Sequence, residues 1–230
     1  MCSSFSDRSA GAATSPSCSE RATATSTTPS PSAASSAEEG EPRDWAEMRR
    51  WRKARRAELI AARVAAGPRR RAGWDKVITA QLLDEVPNLE WLVVGIYWPF
   101  KGEYDVRAVA RQLHARGTRL ALPVVAEKNR PLEFRAWTPD AKLVPGIWNL
   151  PVPADGEPIE PEALLVPLVG FDGHRFRLGY GGGYYDRTLA SLRRKPVTIG
   201  IGFELAELPT IHPQPHDIPM DTIVTEARFE

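Results

Sequence analysis

Cysteine is almost absent from this chain of 230 residues, and both cysteines, Cys2 and Cys18, lie in one Ser/Thr-rich stretch. The rest of the chain offers no disulfide and no thiol nucleophile, which suits a reducing compartment. No apolar run approaches the ~18 residues of a membrane span, and the longest, 91–97, has the length of a strand. The apolar stretch of a secretory signal is also missing. We therefore expect a cytoplasmic protein with no membrane partner.

Residues 1–40 lack a periodic apolar pattern and consist mostly of Ser, Ala, Thr and Pro. Because such a segment cannot offset its ordering entropy by burying apolar surface, we expect a disordered extension. An organelle transit peptide has a similar composition, but here the acidic residues outnumber the arginines, which argues against that interpretation. Residues 41–230 are long enough for a core without cross-links and are predicted to form a single domain.

A strongly basic segment follows, although the net charge of the whole chain is only +1. Residues 43–71 hold eleven Arg or Lys against three Asp or Glu, and Gly67-Pro68 end the run. The pattern predicts a basic helix, on which Arg52, Arg56 and Arg63 fall within roughly 40° of one another. Three interpretations of this face stay open: a solvated charged surface, a phosphate-binding surface or an arm for nucleic acid.

Short apolar strands alternate with helices over the rest of the chain. The predicted strands cover 91–97, 119–125, 132–137, 163–169, 197–203 and 222–225. The predicted helices cover about 72–86, 105–116 and 183–193, and a Pro-rich loop runs to 161. Such alternation predicts an α/β fold with a largely parallel sheet that helices cover on both faces. Ligands in such folds bind beyond the carboxyl ends of the strands.

The strand 163–169 leads into a glycine-rich loop at this position. Four glycines, at 179, 181, 182 and 183, allow backbone N–H groups to close on an anion, and a helix start follows. Arg177 adds a bidentate cation, and Asp186 could hold Mg²⁺ against phosphates. The loop has neither the Lys-Ser/Thr of a P-loop nor the glycine spacing of a dinucleotide fingerprint. A tight turn with an Arg–Asp pair is the structural alternative.

The segment RLGYGGGYYDR, 177–187, closely resembles the signature of the 5-formyltetrahydrofolate cyclo-ligase family, also called methenyltetrahydrofolate synthetase. Further parts of the chain resemble the same family: the strand and loop approach at 166–172, the Trp-Asn-Leu-Pro at 148–151, Glu103, and the C-terminal segment with His216-Asp217, Asp221 and Thr225-Glu226. The order and spacing of these segments fit the family from about residue 48 to 229.

The resemblance implies a three-layer α/β sandwich with ATP and folate in one cleft. The implied reaction of one-carbon metabolism is the ATP- and Mg²⁺-dependent cyclisation of 5-formyltetrahydrofolate to 5,10-methenyltetrahydrofolate, with release of ADP and phosphate. The formyl oxygen would attack the γ-phosphate to give an iminophosphate, and N10 would then displace phosphate. Such chemistry needs positioning and charge neutralisation rather than a protein nucleophile. The implied substrate is mono- or polyglutamylated, the implied assembly a monomer or weak dimer, and no nucleic acid takes part.

Site residues carry over by position. ATP binding falls to Arg52 and Arg56 of the basic helix and to Arg177, Leu178, Gly179, Tyr180, Gly181, Gly182, Gly183, Tyr184 and Tyr185 of the loop. Substrate binding falls to Trp98, Glu103, Trp148, Tyr180 and Tyr184. Metal binding falls to Asp186 and Asp217, and catalysis to Arg177, Tyr184 and Asp186.

Two departures from the family pattern keep alternatives open. Many relatives carry Lys where this chain has Gly182, so another arginine is expected to supply that charge. The register of the basic helix also allows Arg49 or Lys53 instead of Arg52. The alternative functions are a catalytically weak relative that binds folate or a phosphorylated metabolite, and a nucleic-acid-binding protein. A zinc site at His212 and His216 is disfavoured, because the prolines between them predict an extended loop.

Overall fold

The computed structural model describes residues 44–86 and 88–229. The predicted extension at 1–40 lies outside these residues and stays a prediction. Within them the helices are α1 (Trp45–Ala65), α2 (Gly67–Asp84), α3 (Arg107–Ala115) and α4 (Tyr184–Ser191). The strands are β1 (Val93–Gly95), β2 (Arg119–Val124), β3 (Glu133–Trp137), β4 (Leu143–Pro145), β5 (Pro151–Pro153), β6 (Ala163–Pro167), β7 (Gly170–Asp172), β8 (Arg177–Leu178), β9 (Val197–Ile201), β10 (Glu207–Leu208) and β11 (Thr222–Val224). Short 3₁₀ turns lie at Leu89–Trp91, Ile147–Asn149 and Glu204–Ala206.

Six strands form the central sheet in the order β11-β9-β6-β1-β2-β3. All neighbouring pairs are parallel except β2 and β3, which are antiparallel at one edge. The middle strand β6 is a run of apolar side chains that is buried almost throughout, as expected for a strand covered on both faces. The prediction of a largely parallel sheet is therefore confirmed.

Successive side chains of β6 point to opposite faces of the sheet and enter two separate apolar clusters. Ala163 and Leu165 pack with the apolar residues of α2 and α3. Leu164 and Val166 pack instead with Leu189 of α4 and with Leu59 of α1. Helices thus cover both faces, and the predicted three-layer sandwich is confirmed.

The first two helices meet differently from the sequence prediction. Gly67 adopts a positive φ of 77°, which turns the chain, and α2 begins at once rather than at residue 72. Pro68 fits this start because the first helical turn needs no intrahelical N–H donor. The strand predicted over 91–97 is also shorter than expected, since a 3₁₀ turn occupies its start and β1 begins at Val93.

A second, small sheet of β10, β7 and β8 lies after β6 and was not predicted from the sequence. Its hairpin β7–β8 is held by buried Asp172, whose Oδ1 accepts from the amides of His174 and Phe176. The other oxygen of this carboxylate accepts from the amide of Ile211, so the hairpin is tied to the C-terminal loop. The glycine loop therefore leaves a braced strand, β8.

The predicted Pro-rich loop before residue 161 also contains structure, the antiparallel hairpin β4–β5.

None of the helices within the described ranges is long and apolar enough to cross a membrane.

Candidate active site

The glycine loop runs from β8 into α4 at the carboxyl ends of the parallel strands. Gly181 and Gly183 have positive φ values of 94° and 61°, a conformation that other residues adopt only with strain. Gly183 is the N-cap of α4 and supplies no side-chain cap, so the first N–H groups of this helix have no side-chain partner from that position. The loop geometry thus suits an anion that backbone N–H groups surround.

Helix α1 brings its arginines to this loop. The Nε of Arg56 donates to the carbonyl of Gly179 at 2.7 Å, and a Cβ added to Gly181 would lie 3.2 Å from the Arg56 guanidinium carbon. Burial lowers the pKa of Arg56, as does the neighbouring charge of Arg52, while Asp217 opposes the shift. An arginine remains a cation at neutral pH despite such a shift. A positive charge therefore rests directly against the glycine loop.

Arg52 makes a nearly buried ion pair with Asp217. The Nη2 of Arg52 lies 2.5 Å from Oδ2 of Asp217, and its Nη1 lies 3.4 Å from Oδ1. The same Nη2 donates to the carbonyl of His212 at 2.8 Å. Burial alone would raise the pKa of Asp217, but the Arg52 guanidinium and the Gln214 amide hold it below its usual range. Both oxygens of this predicted metal ligand are thus engaged by α1 and its own loop.

The second predicted metal ligand, Asp186, pairs with Arg177 at 2.8 Å through Oδ1. The Oδ1 atom also accepts from the amide of Ile218, and Arg177 donates to the carbonyl of the same residue. The Oδ2 atom accepts no hydrogen bond from the described residues. Within those residues no cluster of three or more metal-ligating side chains occurs. Asp186 fits a magnesium ion that takes one carboxylate oxygen and completes its shell with phosphates and water.

Glu103 lies on the other side of the loop and is only 8% exposed. Its Oε2 accepts from the amide of Phe100, while its buried Oε1 receives no hydrogen bond from the described part of the chain. Burial raises the pKa of Glu103 to about 7, although the charge of Arg63 opposes the shift. The Tyr180 hydroxyl and the Arg63 guanidinium lie near this carboxylate and lower its pKa, and Oε1 keeps the capacity to accept from a ligand N–H group.

Arg63 joins this carboxylate to the loop. Its Nη2 donates to the hydroxyl of Tyr180 at 2.8 Å and lies 3.9 Å from Oε1 of Glu103. Its other nitrogens donate to the carbonyls of Leu168 and Lys101. The arginines at 52, 56 and 63 all point from one face of α1 towards the loop and its surroundings. The interpretation of this face as a solvated surface is therefore wrong for these three residues.

Aromatic side chains line the outer part of the site. Trp148 is 60% exposed, has a φ of 57°, and meets the ring of Tyr184 edge to face at 5.6 Å. Tyr180 packs on Phe100 at 5.9 Å between ring centroids. A strained, exposed tryptophan beside the loop is a suitable platform for a flat ligand.

Three other predicted contacts lie deeper or elsewhere. Trp98 packs against the core cluster of α2 and α3 and beneath the guanidinium of Arg107. Leu178 is buried in the core, so only its backbone could face a ligand. Tyr185 packs against the same cluster as Leu178, with Arg177 at 5.9 Å from its ring.

The sequence analysis did not select Phe100, Arg63 or Arg187 as site residues. Arg63 was detectable, because it shares the helical face of Arg52 and Arg56. Arg187 follows Tyr184 by three residues, a spacing at which side chains meet on a helix. Phe100 carried no signal, since it acts through its backbone amide and through a ring contact that only the fold brings about.

The fold and this site define the class: an α/β enzyme with an arginine-lined glycine loop beside a buried carboxylate. The family model described as the 5-formyltetrahydrofolate cyclo-ligase family matches residues 48–226, and the chain belongs to this family. The predicted family and enzyme class, a cyclo-ligase, are thus confirmed.

Individual relatives agree with this assignment. The chain is 31% identical over 142 residues to the Escherichia coli K12 protein named 5-formyltetrahydrofolate cyclo-ligase, covering 59% of this chain and 78% of that protein. The Haemophilus influenzae protein of the same name is 27% identical over 157 residues, or 65% of this chain and 84% of the relative.

Solved structures resemble the fold. An NMR structure of Aquifex aeolicus 5,10-methenyltetrahydrofolate synthetase superposes with a TM-score of 0.68 at 25% identity, over 77% of this chain and 91% of that one. A 5,10-methenyltetrahydrofolate synthetase from Mycoplasma pneumoniae gives a TM-score of 0.62 at 24% identity, over 76% and 98% of the two chains, and supports the fold alone.

Proposed function

We propose that this protein uses ATP and Mg²⁺ to cyclise 5-formyltetrahydrofolate to 5,10-methenyltetrahydrofolate, releasing ADP and phosphate. One observation carries the proposal: Arg63 joins the glycine loop, at Tyr180, to the buried carboxylate of Glu103. An anion-binding surface and an acceptor for ligand N–H groups thus lie side by side. Membership of the family supplies the substrate class.

The chemistry needs an activated formyl oxygen. Attack of this oxygen on the γ-phosphate would form an iminophosphate and break the bond to ADP. Attack of N10 on the formyl carbon would then close the ring, the C–O bond would break as phosphate leaves, and the N10 proton would depart with the phosphate. Arg177, Tyr184 and the loop backbone are suited to hold the phosphates in line and to neutralise their charge. Bound Mg²⁺ would add further neutralisation, with Asp186 supplying a ligand oxygen.

Glu103 is suited to orient the folate. An ionised carboxylate at this position can accept from N–H groups of a pterin ring, since Oε1 is buried and accepts no hydrogen bond of ordinary geometry from the described residues. Trp148 and Tyr184 offer rings against which the folate can pack. The pKa of about 7 means that the carboxylate is only partly ionised at neutral pH before the ligand binds.

An absorbance assay tests the proposal. Purified protein is mixed with 5-formyltetrahydrofolate, Mg²⁺ and ATP, and the near-ultraviolet band of the methenyl product is followed. We expect a rise that requires ATP, and its absence would contradict the proposed reaction. Asp186→Asn keeps the shape of the side chain but weakens its metal binding, so we expect turnover to fall by at least roughly a hundredfold.

A matched control for this variant is Asp84→Asn. Asp84 is exposed at the end of α2, close in sequence to the start of β1, and therefore lies away from the carboxyl ends of the strands. The control should retain full turnover. Equal losses in both variants, or full activity of Asp186→Asn, would refute the role of Asp186.

A catalytically weak relative that binds folate or a phosphorylated metabolite is the second candidate. One observation favours this candidate: both oxygens of Asp217 accept hydrogen bonds from Arg52 or Gln214. Of the two predicted metal ligands, Asp186 is therefore the one available to a metal ion. Calorimetry separates the candidates: binding of folate and ATP without formation of product would support the weak relative. The cytoplasmic location, the weak or absent dimer, and the use of polyglutamylated substrate stay predictions.

A further inference from the structure

Arg187 extends from the first turn of α4 back over the glycine loop. Its guanidinium carbon lies 4.9 Å from the centroid of the Tyr184 ring. Its Nη2 donates to the carbonyl of Gly182 at 2.6 Å. A Cβ added to Gly183 would lie 2.9 Å from Nη1 of Arg187, so the guanidinium rests directly on the loop. Nothing in the reaction proposed above has yet used this charge.

The arginines around the loop fall into two kinds. Arg52 and Arg177 are each held by a carboxylate, Asp217 and Asp186 respectively. Among the described residues no carboxylate pairs with Arg56 or Arg187. A carboxylate partner offsets part of the charge of Arg52 and Arg177, so each attracts an anion less strongly than an unneutralised arginine does.

The two unneutralised arginines donate to different carbonyls of the loop. Arg56 donates to Gly179, where the loop leaves β8, and Arg187 donates to Gly182, where the loop enters α4. The buried Nε of Arg187 has no hydrogen-bond partner among the described residues. The contact with the Tyr184 ring and the hydrogen bond to Gly182 restrict the guanidinium, which reduces the entropy lost when it binds a ligand.

A side chain at residue 182 would have to displace the ring of Tyr184 from its present position. A Cβ added to Gly182 would lie 2.7 Å from the ring of Tyr184, which Arg187 covers on its own side. Because this chain has glycine at 182, the cation that contacts residue 182 is Arg187 of α4. We propose that Arg187 contacts the phosphates of ATP and, together with Arg56, holds the nucleotide against the loop. The inference rests on the proposed function, because it names a further residue of the same site.

Calorimetric titration of the full chain with Mg-ATP tests the proposal. Arg187→Gln removes the charge, and we expect the Kd for ATP to rise by roughly ten- to a hundredfold, the loss typical of a hydrogen bond to a charged group. Arg187→Lys keeps the charge but loses the planar guanidinium, so its Kd for ATP should lie between those of the wild type and Arg187→Gln. Affinity for adenosine, which has no phosphate, should not change. In turnover, the KM for ATP should rise while the KM for 5-formyltetrahydrofolate stays within about twofold.

Arg193→Gln is the matched control. Arg193 is exposed just beyond the end of α4, and its substitution removes the same charge as Arg187→Gln. The control should leave ATP affinity unchanged. Unchanged ATP affinity in Arg187→Gln would overturn the proposal. So would equal losses for ATP and adenosine accompanied by a lower melting temperature, because they would indicate a purely structural role. A wild-type protein that binds ATP but forms no methenyl product would refute the proposed reaction while leaving Arg187 to be judged by ATP affinity.

Discussion

Glu103 is a carboxylate that the fold keeps from water, and burial raises its pKa from 4.5 to about 7. Between these values the folded protein binds a proton that the unfolded chain has lost. The contribution of Glu103 to stability is therefore greatest below pH 4.5 and is lost as pH rises to about 7. The shift corresponds to a loss of about 3 kcal/mol in the free energy of unfolding.

Glu103→Gln should remove this pH dependence. The glutamine stays neutral at every pH, so we expect the variant to be more stable than the wild type above pH 7 and to bind folate more weakly. Urea unfolding at several pH values between 5 and 8 gives the difference directly. The control is Glu127→Gln, whose side chain is 73% exposed and should have no effect. Parallel curves for wild type and Glu103→Gln would contradict the pKa shift.

The ion pair of Arg52 and Asp217 is one of the contacts that attach helix α1 to the C-terminal loop. Arg52 is only 7% exposed, so loss of its partner leaves a nearly buried charge uncompensated. We expect Asp217→Ala to lower the free energy of unfolding by about 3 kcal/mol. The additional change Arg52→Met should recover most of this loss, because it removes the stranded charge.

The same pair of variants separates folding from function. If Arg52 contributes to ATP binding, the double variant should regain stability without regaining ATP affinity, as measured by denaturant unfolding and calorimetry together. A double variant that is no more stable than Asp217→Ala would show that the charge of Arg52 is not the source of the loss.

The elements differ in how far the sequence could predict them. Strands such as β6 and β9 were predictable, because buried apolar runs bounded by turns have few other uses. The hairpin β7–β8 was not, since its strands of two or three residues owe their pairing to Asp172 and to the distant amide of Ile211. Local pattern carries no information about such long-range partners.

The site shows the same division. The helical period placed three arginines of α1 on one face, and the glycine spacing located the loop. Their partners, Asp217 and the carbonyl of Gly179, were unpredictable from periodicity because tertiary packing selects them. The sequence alone also could not show that Trp148 is exposed whereas Trp98 packs on the core.

The whole molecule holds more positive than negative charge around the glycine loop when no nucleotide is bound. Repulsion between Arg52 and Arg56 contributes to the lowered pKa of Arg56. Mg-ATP at a hundred times its Kd should stabilise the protein by about 2.7 kcal/mol, or roughly 5–10 °C in melting temperature. Thermal denaturation at constant ionic strength measures the shift. Adenosine should raise the melting temperature much less than Mg-ATP does. An equal shift with adenosine would contradict a site that binds phosphate.

The contacts between α1 and the loop also determine when during synthesis the site can exist. The hydrogen bonds of Arg63, Arg56 and Arg52 to the loop region join residues 117, 123 and 165 positions apart in sequence. During synthesis Arg56 and Arg63 therefore lack these partners until residues 179 and 180 have left the ribosome, and Arg52 lacks its partner until residue 217 has done so. Contacts of such range form late and slowly, so the nucleotide site is expected to be among the last parts of the protein to fold.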